Sequence, residues 1–379
     1  MVRFIRKHIA FLIMTTVLLI QIALLIVTSI LSKNVQVSEF FTRTFVRGYV
    51  NVFGKVNEKL NFSLTEFSFI VVIVSCFIYI AWGFCLLRNK NPWGLIHRLM
   101  MVTLIIVGGV TMYNLTAGME YNREALPVKG YQGEIKKEEF VQIATYFVED
   151  YNKCAEEIQL DEQGEIVLPY TREHLLEVVR LEFDKLDDEY YHPYVPKAKN
   201  LATSGLFTTV GIVGMYFSVL GEVNYSNFST NTELPFYVAH EMAHSIGVMR
   251  EDDAQILALQ ICATSDDPIL RYSAYFNTFQ SILNVLHYTD NKDDYRRVKS
   301  MMSPKIYDNY NYIYNHWKGK TFLYDFGNKV NDWYLKTFGQ KDGTTSYDDT
   351  TPSTDPSGKI ITLSRYQRIY FGIYYDKKA

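Results

Sequence analysis

Residues 232–263 read TELPFYVAHEMAHSIGVMREDDAQILALQICA, and the fold is read outward from them. Leu234-Pro235-Phe236-Tyr237-Val238-Ala239 is an apolar helix start with proline near its first turn. Gly247, three residues after His244, is a good place for that helix to stop. Residues four apart on a helix share a face, so His240 and His244 offer two imidazole nitrogens to one metal ion. Glu241 falls at the edge of that face, placed to hold a water beside the metal rather than the metal itself. Two histidines leave room for one more protein ligand and a water, a set that suits zinc.

The third ligand is sought just beyond Gly247. Arg250-Glu251-Asp252-Asp253-Ala254-Gln255 opens a second helical pattern, whose apolar positions Ala254, Leu257, Ala258, Ile261 and Cys262 mark a buried face. Glu251 lies on that face, three and seven residues before Ala254 and Ala258, and a carboxylate there needs a partner. Asp252 and Asp253 fall further round, toward solvent, as acids that favour a helix N-terminus. Glu251 is the expected ligand, with Asp253 in reserve.

HEMAHSIGVMREDDAQILALQICA resembles the core of the gluzincin-like zincins, in which H-E-x-x-H is followed by E-x-x-A-D or E-x-x-A-N. More closely, the chain is similar to a family of bacterial multi-pass membrane proteins known only as a domain of unknown function. That family shows H-E-x-A-H, a Gly three residues on, then E-x-E-A-N. NFSLTEF (61–67), MEYNREAL (119–126), GMYFSVLGEVN (214–224), RYSAYFN (271–277) and YLKTFGQKDGTTSY (334–347) fit it too, so the likeness runs to about Tyr347. The resemblance implies a zincin-like fold with zinc on His240, His244 and Glu251, and Glu241 as the base. Asp253 and Gln255 depart from the pattern, standing where the family has Glu and Asn, and the tail after Tyr347 does not follow it.

The 379 residues carry 38 basic and 41 acidic side chains, a net charge of −3 that argues against nucleic acid as a partner. The first 117 residues are strongly apolar, and the rest is polar and tyrosine-rich. Uncharged or nearly uncharged runs at about 9–32, 67–87 and 99–117 read as three transmembrane helices. Arg3, Arg6 and Lys7 precede the first, and the short loop between the second and third carries Arg88 and Lys90. That bias places the amino terminus in the cytoplasm and residues 118–379 outside it. Lys33, Arg43, Arg47, Lys55 and Lys59 in the outer loop run against the count.

Beyond the membrane part, Lys136–Ile158 and Thr171–Tyr190 carry apolar residues at helical spacing. His174 and His192 occur alone there, as surface or capping residues. Leu201–Gly221 has no charge and is weighed as a fourth span. Gly205, Gly211 and Gly214, with several Ser and Thr, favour short strands at Phe207–Val213 and Met215–Val219 instead. A strand beside the metal helix would hold an extended peptide at its edge. Glu222 and Asn224 end this segment near the site and read as loop residues, with a role in supporting the site or its substrate as the alternative.

Asp267-Pro268 and Ser303-Pro304 each start a helix, the second running through Trp317. A third covers Thr321–Phe338, stopped by Gly339. Tyr307, Tyr310, Tyr312 and Tyr314 read as half-buried packing residues. His287 and His316 are conceivable oxyanion donors that no spacing selects. Residues 340–358 read as a flexible loop, and Lys359–Tyr375 as a strand or a membrane-surface contact. Cys154 and Cys262 read as two buried thiols rather than a pair.

The expected fold is thus mainly α (α+β): three membrane helices in residues 1–117, then a largely helical domain with a small sheet in residues 118–379. The expected function is a zinc metallopeptidase tethered to the lipid bilayer, acting on a peptide or protein outside the cytoplasm. The alternative is a non-catalytic envelope or receptor protein with a structural or lapsed metal site. Cleavage inside the membrane is disfavoured, because Glu233, Glu241, Arg250, Glu251, Asp252 and Asp253 crowd the metal helix with charge.

Overall fold

A computed structural model describes residues 2–186, 189–289, 292–338, 340, 343–346 and 352–378. The chain divides into two compact units, one of residues 1–124 with 217–222, the other of residues 125–216 with 223–379.

The first unit is helical. Helix α1 (Val2–Leu31) ends at a turn where Asn34 caps α2 (Val35–Phe41), which runs through a π-helical turn (Thr42–Val46) into α3 (Arg47–Asn57). Helix α4 (Leu64–Arg88) and α5 (Pro92–Tyr113) form a tight hairpin. Asn91 caps α5 by accepting from Gly94 N–H, and Pro92 supplies its first turn. The hairpin packs closely because a Cβ at Gly83 would stand 2.8 Å from Leu95 Cδ1, and one at Gly94 2.8 Å from Leu86 Cδ1. Helix α5 continues through a π turn (Asn114–Gly118) and a 3-10 turn (Glu120–Asn122). His8–Leu31, Leu64–Arg88 and Pro92–Asn122 are each long and apolar enough to cross a membrane. Arg98 is accommodated by laying its guanidinium 3.7 Å over the Trp82 ring.

The second unit is mainly α with two small three-stranded sheets. Its order is β1 (Ile135–Lys136), α6 (Lys137–Glu157), α7 (Arg172–Phe183), β2 (Lys199–Leu201), α8 (Ser204–Thr209), β3 (Gly214–Phe217, its last residue in the first unit) and β4 (Glu222–Ser226, its first residue Glu222 likewise in the first unit). There follow α9 (Leu234–Ser245), α10 (Glu251–Ala263), α11 (Pro268–Tyr288), α12 (Lys292–Ser300), α13 (Pro304–Trp317) and α14 (Tyr324–Thr337). The chain closes with β5 (Ser353–Thr354), β6 (Ile360–Thr362) and α15 (Arg365–Lys378). One sheet has the order β1-β6-β5 and the other β2-β4-β3, with β3 at an edge.

The core gathers around α9, α10 and α11. Helix α11 is buried nearly all round (Tyr272, Ala274, Tyr275, Phe279, Ile282, Leu286), the pattern of a central helix. Its Tyr275 meets Phe147 of α6 at 5.1 Å, and Phe147 meets Tyr374 of α15 at 4.9 Å. Asp267 caps α11 and Ser303 caps α13, as the Asp-Pro and Ser-Pro pairs predict.

Several expectations are corrected. Residues 207–213 hold part of helix α8 rather than a strand, with Thr208 buried and its hydroxyl bonded to Ser226 Oγ at 3.2 Å. The second strand begins at Gly214 and is genuine. Lys359–Tyr375 is a short strand followed by a helix, and the tyrosines and phenylalanine that made it look β-prone (Tyr366, Tyr370, Phe371, Tyr374) are buried along α15. Within 340–358, residues 343–346 form a 3-10 turn and Ser353–Thr354 a strand. Gly339, the expected stop of α14, lies outside the described residues. Tyr307, Tyr310 and Tyr314 are exposed rather than half-buried. Cys154 and Cys262 are buried and free.

Candidate metal centre

Helix α9 forms where it does because Thr230 Oγ accepts from Glu233 N–H at 3.3 Å and Pro235 stands in its first turn. It ends at Gly247, whose φ of +91° is reached without strain only by glycine. The turn sends the chain back into α10, whose first residue is Glu251. Ala239 and Ala243 of α9, with Ala254 and Ala258 of α10, are fully buried, and these small residues let the two helices approach.

The result brings three donors together. His240 Nε2 lies 3.1 Å and His244 Nε2 3.4 Å from Glu251 Oε2, and the ligand atoms of all three lie within 4.8 Å of one another. A tetrahedral zinc with bonds of about 2.0–2.1 Å holds its donors about 3.4 Å apart, so the set fits the ion in chemistry and in spacing. His244 Nδ1 is 2.8 Å from the Val248 carbonyl, an acceptor that engages Nδ1 as a donor and turns Nε2 to the site, where it would offer its lone pair to a bound metal. Burial resists an ionised Glu251, yet the charge of His244 and hydrogen bonds from both imidazoles hold its carboxyl down at about 2. Burial also resists a charged His244, and Glu251 overcomes it, pushing that imidazole up to about 9. Two imidazoles and a carboxylate buried side by side are a donor set that could hold a metal ion.

Glu241 stands beside this trio and does not join it. Its Oε2 accepts the Tyr216 backbone N–H at 2.6 Å, from the edge strand β3. A Cβ at Gly214 on the same strand would stand 2.8 Å from Glu241 Cγ and 3.0 Å from Oε1, so only glycine admits the carboxylate here. Burial pushes the Glu241 carboxyl up, against the pull of His240 and His244.

Asp253, the reserve ligand, is buried rather than turned to solvent, and it faces away from the donors. It takes an ion pair from Arg365 of α15 and accepts Leu126 N–H at 3.3 Å, with Arg250 Nε at 3.5 Å. Arg365 in turn donates to the Leu126 carbonyl at 2.8 Å. Asp252 is half-buried beside Arg250 at 3.2 Å. Glu233, two turns before Glu241, accepts from Trp317 Nε1 at 2.9 Å, Tyr237 OH at 3.0 Å and Thr230 Oγ at 2.8 Å.

Other expected polar residues lie apart. His287 is exposed, and His316 Nε2 is 2.6 Å from the Phe228 carbonyl. His174 is exposed, and buried His192 donates its backbone N–H to Ile246. Glu222 lies in β4 and is no loop residue: its carboxylate accepts Leu64 N–H at 3.1 Å, Thr65 N–H at 2.7 Å and Thr65 Oγ at 2.5 Å, capping α4. Asn224 is buried in the same strand. Tyr216, Gly214, Val248 and Arg365 escape a motif search. Two act through backbone atoms, one by having no side chain, and the last from 112 residues beyond Asp253.

No curated protein and no solved structure matches the chain. The model of the family described as "Protein of unknown function (DUF3810)" matches residues 8–352, and the chain belongs to that family.

Proposed function

We propose that this protein is a membrane-anchored zinc metallopeptidase whose second unit lies outside the cytoplasm. The observation that carries the reading is the convergence of His240, His244 and Glu251 with Glu241 alongside. His240 Nε2, His244 Nε2 and a Glu251 oxygen would hold the ion. When bound, zinc supplies Lewis acidity toward a water and toward the carbonyl to be attacked. Glu241 takes a proton from the attacking water as its oxygen bonds to the carbonyl carbon, then gives that proton to the amine nitrogen as the C–N bond breaks. The raised affinity of its carboxyl for a proton suits both halves of that duty. Tyr216 N–H fixes one carboxylate oxygen, and Val248 fixes the His244 ring. The edge strand β3 offers a place for an extended peptide.

A second reading, a structural metal site, is favoured by the burial of all three donors and by the engagement of Glu241 with Tyr216. Zinc content and peptide cleavage by the full chain in detergent or liposomes separate the two. Glu241→Gln keeps the zinc and loses turnover by about 10²–10⁴-fold. His244→Ala loses the zinc. Bound zinc with no cleavage of any peptide by the unaltered chain leaves the structural reading, and absence of zinc removes both.

A further inference from the structure

The segment between the first two apolar helices has an outward face left open among the described residues. From Val35 to Asn57 the chain is helical without a break in direction, through α2, the π turn and α3. Val46 at the end of the π turn and Val50, Gly54 and Asn57 of α3 form one buried stripe. That stripe rests on residues 219–221: Asn57 Nδ2 donates to the Leu220 carbonyl at 2.9 Å, and a Cβ at Gly221 would stand 3.3 Å from Gly54 N. Tyr49 OH donates to the Val219 carbonyl at 2.6 Å. The neighbouring stripe is apolar and open. Phe40, Phe45, Val52, Phe53 and Val56 are between 43 and 70 % exposed. Phe41, Phe45, Tyr49 and Phe53 stack at every fourth residue, with ring centroids 5.0, 6.1 and 4.4 Å apart. The flank beyond carries Asn51 and Lys55, and exposed Lys33 and Lys59 stand at the two ends.

We propose that residues 35–57 lie in the plane of the membrane interface, with Phe40, Phe45, Val52, Phe53 and Val56 among the acyl chains and the lysines at the lipid phosphates. The inference rests on reading Val2–Leu31 and Leu64–Arg88 as membrane spans. Two consecutive spans leave and enter the bilayer on one side, so both ends of this segment are pinned to the same surface. Asn34 breaks the first span from the in-plane run by accepting Val37 N–H at 3.2 Å, and Ser38 Oγ donates back to the Ser32 carbonyl at 3.0 Å. An apolar stripe next to a basic flank, on a helix too polar as a whole to span, is the build of an interfacial helix. Aromatic rings are favoured at that depth, and lysine stems reach from it to the headgroups. Exposed Lys33 and Lys59 at the two ends then face phosphates, which accounts for their presence in a loop that charge bias alone would leave neutral.

Nitroxide labels on the full chain in phosphatidylcholine–phosphatidylglycerol liposomes test this, in a Cys76→Ala, Cys85→Ala background. Labels go at Phe53→Cys, Val56→Cys, Asn51→Cys and, within the second span, Ile73→Cys. Collision with oxygen, which concentrates in the bilayer, is compared with collision with a water-soluble nickel chelate. The expected result is oxygen preference at 53, 56 and 73, several-fold above that at 51. Nickel preference at 53 and 56 overturns the inference in favour of a water-facing helix. Exclusion of both reagents there overturns it in favour of a protein cover, a second copy or a partner. Nickel preference at 73 removes the spans themselves, and the metal centre is judged separately by its zinc content.

Discussion

Glu241 and Gly214 illustrate how much of a site can turn on one absent side chain. The carboxylate is held by Tyr216 N–H, and it sits against a strand that only glycine lets it approach. A methyl group at Gly214 meets the flexible Glu241 side chain rather than backbone, so the cost falls on the position of the carboxylate and not on the fold. If the chain is the zinc peptidase proposed above, Gly214→Ala should bind zinc as the unaltered chain does and keep its melting temperature, while turnover falls by about 10²-fold, the penalty for an ångström of misplacement. Parallel zinc analysis, thermal melts and peptide cleavage check this, and unchanged turnover would take Glu241 out of the chemistry. Glu39 gives the pH prediction. Burial works against its ionisation, but hydrogen bonds and charge from Arg123 (Nε at 3.0 Å), with Arg43 and the Glu124 N–H, hold its carboxyl below the ordinary range. A depressed carboxylate contributes stability that is complete above its unfolded pKa and is lost as pH falls through the folded value. Melting temperature of the full chain in detergent should thus fall below the ordinary carboxylate range, and Glu39→Gln should remove that part of the slope.

At the scale of elements, α10 is held from two sides, and the far side is α15. Arg365 closes on Asp253, a buried acid two residues from Glu251. Removing the guanidinium leaves that carboxylate with Arg250 at 3.5 Å and one backbone N–H. Arg365→Ala should cost about 2 kcal/mol, the size of a charge-assisted hydrogen bond, and, if zinc sits on His240, His244 and Glu251 as proposed, weaken its binding, with Arg365→Lys recovering stability in part. Equilibrium zinc titration beside thermal unfolding checks this. Zinc affinity equal to that of the unaltered chain would show that Asp253 does not position Glu251. The same pair marks the limit of reading a sequence. His240, His244 and Glu251 are legible because one helical turn and one glycine stop bring them together locally. Asp267-Pro268 and Ser303-Pro304 are legible because a cap is written in adjacent residues. Asp253 reads as a solvent-facing helix-start acid because its partner arrives from α15. Residues 207–213 and 359–375 read as strands because β-branched and aromatic residues favour a half-buried sheet surface and a buried helix alike. Only the surrounding packing decides between them.

For the whole molecule, the proposed substrate class depends on the side of a membrane on which the second unit would stand. If all three apolar helices span, residues before the first and after the third stand on opposite sides. Arg3, Arg6 and Lys7 before the first helix, and Arg88 and Lys90 in the hairpin between α4 and α5, favour a cytoplasmic position for that hairpin. The opposing basic residues at 33–59 weigh less if they serve lipid phosphates, and Arg43 is already paired with Glu39 at 3.1 Å. The thiols that would blur a labelling experiment are quiet: burial pushes Cys154 up to about 12 and raises Cys262 as well, and both are enclosed. With Cys76 and Cys85 changed to Ala, a single cysteine can be placed at Asn89 in the hairpin or at Glu156 on the exposed side of α6. A membrane-impermeant maleimide applied to intact cells should label Glu156→Cys and leave Asn89→Cys untouched until the cells are lysed. The reverse pattern would place the candidate metal site in the cytoplasm and make the substrates of the proposed activity cytoplasmic, with the donor geometry of His240, His244 and Glu251 unaltered.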